Sequence, residues 1–167
     1  GQAIAIRARG LGLAIHYHNR KRLPEIVERA VDATFHADLD DMLQAIDILS
    51  INAPHNPSTH HLVDARRLRS LGPEAYLINI ARGEIVDESA LIEALEQRAI
   101  AGAGLDVYEH EPSVDPRLLG LSNVVLLPHM ASATVEARHA TGERVIANIR
   151  AWVDGHRPPD QVLEGWI

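Results

Sequence analysis

Cysteine is absent from the 167 residues. That removes disulfides, thiolate nucleophiles, cysteine-held zinc and iron–sulfur ligation together. Lysine occurs once, as Lys21 in a polar turn, which leaves Schiff-base chemistry a single poor candidate. No apolar run approaches the ~20 residues of a membrane-spanning helix. No basic segment precedes an apolar core in the manner of a secretory signal. These absences lead us to expect a cytoplasmic protein without a membrane partner. A net charge of −7 argues against nucleic acid as the main partner.

The composition that remains, 46% apolar and 23% charged, is that of a soluble globular chain with room for one core and a tail. Charge is unevenly spread. Residues 1–30 hold six basic and two acidic residues, a net of +4, whereas residues 31–167 hold ten and twenty-one, a net of −11. A small anion is therefore best met near the start of the chain.

Periodicity predicts alternation of strands and helices. Residues 1–10 read as an alanine-rich helix, Leu13–His18 as a strand, and Asn19–Arg22 as a basic turn before Pro24, which can open a helix. A strand follows near Ala33–His36, then helix Asp38–Ala45 with Asp38 as N-cap. Strand Asp47–Asn52, a helix within Leu62–Leu71 ended near Gly72-Pro73, strand Ala75–Ile80 and helix Asp87–Ala99 continue the pattern. Strands Gly102–Tyr108 and Val124–Leu127 precede a long helix from Ser132 to Val153, and residues 155–167 have no clear period. About six strands and four or five helices, with apolar strands, predict an α/β fold of Rossmann-like, doubly wound type, its parallel sheet buried on both faces. No internal repeat or low-complexity tract interrupts it. Ligands are expected beyond the carboxyl ends of the strands. Gly1 opens a helix with no strand before it, so we expect the later part of a longer polypeptide, with a gap in the sheet where a first central strand belongs.

Three strand ends carry chemistry. Arg82 closes the run Ile78-Asn79-Ile80-Ala81 and precedes Gly83; its planar fork of donors suits a carboxylate, with a salt bridge to Glu84 or Asp87 as the plain alternative. Asp106 lies in a strand pattern, where a charge needs a partner, and Glu111 stands before Pro112. Glu109 reads as a solvated loop acid, and Glu88 as a capping or surface charge. His129, between an apolar strand and a long helix, can exchange a proton near neutral pH; a packing or capping role is its alternative. His16 and His18 fall on one face of their strand. His55, His60 and His61 suggest ligands, but no acid or cysteine cluster accompanies them, and no metal is expected.

The segments 79–91, 104–112 and 128–134 resemble, in order, three signatures of the D-isomer-specific 2-hydroxyacid dehydrogenases. The eighteen-residue step from Glu111 to His129 is similar to that of the glyoxylate and hydroxypyruvate reductase branch. The resemblance covers essentially the whole chain. It implies reduction of a small 2-oxo acid by hydride from NAD(P)H, in a cytoplasmic homodimer. It implies a catalytic trio of Arg82, Glu111 and His129: arginine takes the carboxylate, and histidine held by the acid protonates the oxygen. It implies cofactor contacts at Gly1 (the third glycine of a dinucleotide fingerprint), at Ala53 and Pro54, at Ile80, Ala81 and Arg82, at Asp106 on the nicotinamide side, and at His129 and Ala131. Residues 1–153 would be the dinucleotide-binding domain, incomplete at its start, and 154–167 a tail belonging to the substrate domain. Two departures stand out. Ala131 replaces a frequent glycine. Asn19 takes the position of the acid that binds ribose hydroxyls in NAD-selective enzymes, and Arg20 and Lys21 follow it, so NADP is expected in preference to NAD. A phosphoglycerate-type NAD dehydrogenase, and a co-repressor-like protein regulated by dinucleotide, are the alternatives.

Overall fold

In the computed structural model, residues 1–161 are described. The chain divides into two compact units, Gly1–Leu126 and the part from Leu127 onward.

The first unit alternates strand and helix: α1 (Gln2–Gly10), β1 (Ile15–His18), α2 (Glu25–Val31), β2 (Ala33–His36), α3 (Leu39–Leu43), β3 (Ile48–Ile51), α4 (Ala65–Leu71), β4 (Tyr76–Asn79), α5 (Glu88–Glu96), β5 (Gly102–Leu105), α6 (Pro116–Gly120) and β6 (Val124–Leu126). A 3-10 turn at Gly83–Ile85 lies between β4 and α5. All strand pairs are parallel, as strands joined by helical crossovers must be. They form a two-stranded sheet, β1-β2, and a four-stranded sheet, β3-β4-β5-β6. Among the described residues no strand joins the two sheets, in keeping with the expected gap. Helix α3 packs against β1, β2 and α4.

Helix starts follow local chemistry. Asp38, Asp64, Asp87 and Asp115 each accept a backbone N–H from the first turn of α3, α4, α5 and α6, satisfying donors that the helix itself leaves unpaired. Gly72, at φ 88°, ends α4 in a backbone region that costs glycine little. The short helix α6 was not anticipated, although Asp115-Pro116 is a cap followed by a first-turn proline.

The core lies on one face of the larger sheet. Leu49, Ile51, Leu77, Ala103 and Leu105 meet Leu43 of α3, Leu68 and Leu71 of α4, Leu91, Ile92 and Leu95 of α5 and Leu118 of α6. Each such side chain contributes up to about 1.5–3 kcal/mol on burial. The opposite face is less covered: Ile48, Tyr76 and Val125 are exposed, and Ser50, Ile78 and Gly104 half-buried. Burial on both faces is thus only half met, because α3–α6 supply their core residues to one side.

The second unit contains α7 (Val135–Val153), capped by Thr134, whose hydroxyl accepts from Ala137 N–H. The helix begins three residues later than expected. Asp160 folds back on it through Arg144 and Asn148. Of the expected tail 154–167, residues 162–167 lie outside the described residues.

Two carboxylates link elements of the first unit. Glu28 of α2 receives both forks of Arg22 at 2.8 and 2.9 Å and the Tyr17 hydroxyl. These partners, the Arg22 hydrogen bonds foremost, lower its pKa from 4.5 to about 2. Asp40 of α3 is likewise lowered from 3.8 to about 2 by Arg66 and Arg67 of α4. A depressed carboxylate stabilises the fold above its unfolded pKa and loses that contribution as pH falls through its folded value. Tm is therefore expected to fall as pH drops from about 4.5 towards about 2. The destabilisation caused by Glu28→Gln at neutral pH should fade over the same interval. A Tm difference between variant and wild type that stays constant down to pH 2 would remove this assignment.

Candidate functional site

The register of the larger sheet aligns Ile51, Asn79 and Leu105 in one row. The next residues, Asn52, Ile80 and Asp106, therefore leave the sheet at a common edge, the carboxyl end of β3, β4 and β5. Gly1, at the start of α1, comes to this edge too: a Cβ built on it would lie 3.7 Å from the Asn52 side chain. The first turn of α1 carries no acid, which suits an anion at its N–H groups.

Asn79 shapes the turn that bears the arginine. It is 1% exposed. Its Nδ2 donates to the Arg82 carbonyl at 2.9 Å, and its Oδ1 accepts from Ala81 N–H at 3.1 Å. The turn Ile80–Arg82 is thus closed from inside by a polar residue that a purely apolar strand reading overlooks. Arg82 is exposed, and its Nη1 donates to the Ala81 carbonyl. It forms no ion pair with Glu84 or Asp87, so its remaining donors are available to a carboxylate.

Gly83 brings this turn against the loop after β5. A Cβ on it would stand 2.0 Å from the carbonyl carbon of Tyr108 and 2.4 Å from the nitrogen of Glu109. Within that loop, the Glu111 carboxylate accepts from Tyr108 N–H at 3.0 Å. Arg82 and Glu111 are therefore carried by two loops in direct backbone apposition. Asp106 is buried, and its N–H donates to the Asn79 carbonyl at 3.0 Å, tying the same two loops at their roots.

Glu109 is not the solvated acid expected from the sequence. Its Oε1 lies 2.8 Å from His61 Nε2, and its Oε2 accepts from Glu88 N–H at 3.3 Å. Glu88, 9% exposed, returns the contact through Oε2 to Glu109 N–H at 3.0 Å. Burial raises the Glu109 pKa, but the hydrogen bonds from His61 and the Glu88 backbone, with the charges of His61 and His110, outweigh it and leave the group lowered. Glu88 is neither of the things expected of it: the cap of α5 is Asp87, and the buried Glu88 carboxylate is spent on the Glu109 backbone. Among the described residues no group of three or more histidines and acids could hold a metal. His61, Glu88 and Glu109 were missed because His61 and Glu109 lie 48 positions apart, and no local pattern connects them.

The remaining candidates lie nearby in sequence to strand ends. Ala53 and Pro54 follow β3 in a loop held by Thr59, whose hydroxyl donates to the Pro54 carbonyl at 2.8 Å. Asn19, Arg20 and Lys21 form the exposed bend after β1; Asn19 Oδ1 accepts Arg20 N–H. Arg22 is committed to Glu28 and stands over the Phe35 ring, whereas the side chains of Arg20 and Lys21 have no partner among the described residues. The strand end thus carries an amide and two cations, and no acid. His129 and Ala131 belong to the second unit, exposed, between β6 and the Thr134 cap; His129 is left-handed at φ 51°. The first unit thus assembles Arg82, Glu111, Ile80, Ala81 and Asp106, with Ala53, Pro54 and Gly1 along the same edge.

Comparison with known proteins bears on what such an edge holds. Residues 1–131 match the family model described as D-isomer specific 2-hydroxyacid dehydrogenase, NAD binding domain. A glyoxylate reductase of Thermococcus onnurineus (strain NA1) is 46% identical over 162 residues, 97% of this chain and 48% of the relative. An NADPH-dependent glyoxylate/hydroxypyruvate reductase from Sinorhizobium meliloti, solved in complex with citrate, superposes with a TM-score of 0.90 at 42% identity, covering 98% of this chain and 50% of that one. The complex of that enzyme with NADP and malonate gives 0.86 at 44%, covering 92% and 46%. The chain spans about half the length of the curated relatives it matches. No helix among the described residues is long and apolar enough to cross a membrane.

The Gly83 contact generates a test. Both neighbours of the added methyl are backbone atoms and cannot rotate aside, so Gly83→Ala should lower unfolding free energy by about 1–3 kcal/mol or more. Denaturant titration measures this, and an unchanged midpoint and slope would show that the two loops are not in apposition.

Proposed function

The chain belongs to the D-isomer specific 2-hydroxyacid dehydrogenase family, in its glyoxylate reductase branch, and on that premise we propose that the protein carrying it reduces a small 2-oxo acid. Glyoxylate and hydroxypyruvate are the proposed substrates. The observation that carries this reading is the Ile80–Arg82 turn, clamped by Asn79 and Gly83. It presents a guanidinium that has no acidic partner among the described residues beside the loop of Glu111.

Arg82 takes the substrate carboxylate in a two-pronged contact and orients its 2-oxo group. Bound NADPH supplies the hydride. His129 donates the proton to the carbonyl oxygen, and Glu111 is the acid of the same trio. Asp106 and the backbone at Ile80 and Ala81 fix the position of the nicotinamide ring. Ala53, Pro54 and Gly1 line the rest of the dinucleotide path. Arg20 and Lys21 hold the 2′-phosphate, and Asn19, lacking charge, does not repel it. A homodimer belongs to the same reading.

Steady-state kinetics of the complete protein tests these roles. His129→Gln is expected to lower kcat for glyoxylate by roughly 10²–10⁴; near-normal turnover would remove the proton-donor role. Replacing both Arg20 and Lys21 by alanine should raise KM for NADPH by roughly 10–100-fold, the worth of about 1.5–3 kcal/mol in charged hydrogen bonds, with little change for NADH. A wild type that prefers NADH at equal concentrations would overturn the assignment of the basic bend.

A further inference from the structure

His61 joins the two loops that carry the proposed catalytic pair. Its backbone N–H donates to the Glu84 carbonyl at 2.9 Å, inside the 3-10 turn that follows Arg82. Two residues on, Val63 N–H donates to the Ile85 carbonyl at 3.0 Å, and Asp87 N–H returns to the Val63 carbonyl at 3.1 Å. The backbone of the segment 61–63 is therefore fixed to the Arg82 side. The ring of His61 reaches the other side, to Glu109 at 2.8 Å, two residues before Glu111. Glu109 is itself locked to Glu88 at the start of α5 by the reciprocal pair of backbone contacts.

His61 is also one of the described non-glycine residues in the left-handed region, at φ 48°. Such a conformation costs a histidine free energy and persists where surrounding contacts impose it. Here it turns the ring towards Glu109 while the N–H keeps its bond to Glu84. The ring is stacked on His60, with centroids 4.1 Å apart, and His60 in turn meets His55 at 3.3 Å. One residue thus spans from the loop after β3 to the loops after β4 and β5.

We propose that His61, with Glu109, is a positioning pair that fixes the separation of Arg82 from Glu111. The inference rests on the reductase reading above, because it assigns the pair a role in that reaction. His61 touches neither substrate nor cofactor in this account. It acts by holding the loop of Glu111 against the turn of Arg82. Gly83 and Asp106 bring the two loops together near their roots; the pair adds a side-chain tie closer to Glu111, where misplacement of a reacting group by 1 Å can cost about 100-fold.

The test compares wild type, His61→Gln, His61→Leu and Glu109→Ala in the complete protein, with glyoxylate and NADPH. His61→Leu and Glu109→Ala are expected to lower kcat about 10-fold each. The double variant should fall no further than either single one, because both remove the same strut. KM for NADPH should change less than about 2-fold. His61→Gln keeps a donor at the position of Nε2 and should recover most of the lost turnover at a Tm like that of His61→Leu. If Glu109→Ala fails to fold, the comparison of Gln with Leu at position 61 still decides. Equal turnover in these two variants, or a KM for NADPH that rises in step with the loss of kcat, overturns the positioning role. A wild type that reduces no 2-oxo acid with NADPH or NADH removes the reductase reading and this inference with it. An active wild type matched by His61→Leu removes the inference alone.

Discussion

The contact of Gly83 with the backbone of Tyr108 and Glu109 is the constraint on which the rest of the site depends. Main chain meets main chain there with no room for a methyl group. The approach is prepared by the sheet, since β4 and β5 are adjacent and in register at Asn79 and Leu105. It is extended one step past the sheet by Asp106 N–H donating to the Asn79 carbonyl. Beyond that bond the two loops stay in contact at Gly83. Glycine supplies the volume at 83. Asn79 satisfies the turn's polar groups at the Arg82 carbonyl and the Ala81 N–H, which would be costly to bury unpaired.

Polar groups at this edge divide into those consumed by the fold and those left for a ligand. Glu88, Glu109 and His61 are consumed: each hydrogen bond among them ties one loop to another, and the lowered pKa of Glu109 shows that its partners overcome the cost of burial. Arg82 is left over. Its contact with the Ala81 carbonyl engages one of its donors, and a planar carboxylate is the natural partner for the others. The rigidity of the first set gives the exposed group a defined position without satisfying its charge. That combination distinguishes a binding arginine from one that merely decorates a surface.

Much of this was legible in the sequence, and for a physical reason. Parallel strands read as apolar runs, and Asp38, Asp64, Asp87 and Asp115 mark helix starts by a local rule that needs no tertiary information. Strand ends followed by Arg82, Asp106 and Glu111 announced the loops that carry polar chemistry. What could not be read was set by distant partners. Glu109 looks solvated in its own segment because the neighbour that binds it, His61, is 48 residues earlier. One-sided burial of the larger sheet was equally hidden: Ile48 and Tyr76 are apolar and fit a buried pattern, and only the placement of α3 to α6 shows which face they occupy. The short helix α6 was legible from its cap and proline and was overlooked.

The basic start of the chain gives the same lesson in charges. A net of +4 over thirty residues suggests an anion site but does not locate it, because the fold pairs two of those cations with acids and engages one donor of two others. Arg7 donates to the Ala3 carbonyl and Arg9 to that of Ala30. Arg29 pairs with Glu25 and Arg22 with Glu28. Net charge counts all of them, whereas a ligand meets only those whose partners are missing. Arg20 and Lys21 remain, next to Asn19, at the carboxyl end of β1. Selectivity for a phosphorylated ribose would then come as much from Glu28, which removes Arg22 from the bend and fixes its base, as from the two cations themselves. Both side chains are exposed, so their charges are screened at high ionic strength. The Arg22–Glu28 pair beneath, bonded twice and joined by Tyr17, ties the bend to α2 through hydrogen bonds as well as charge.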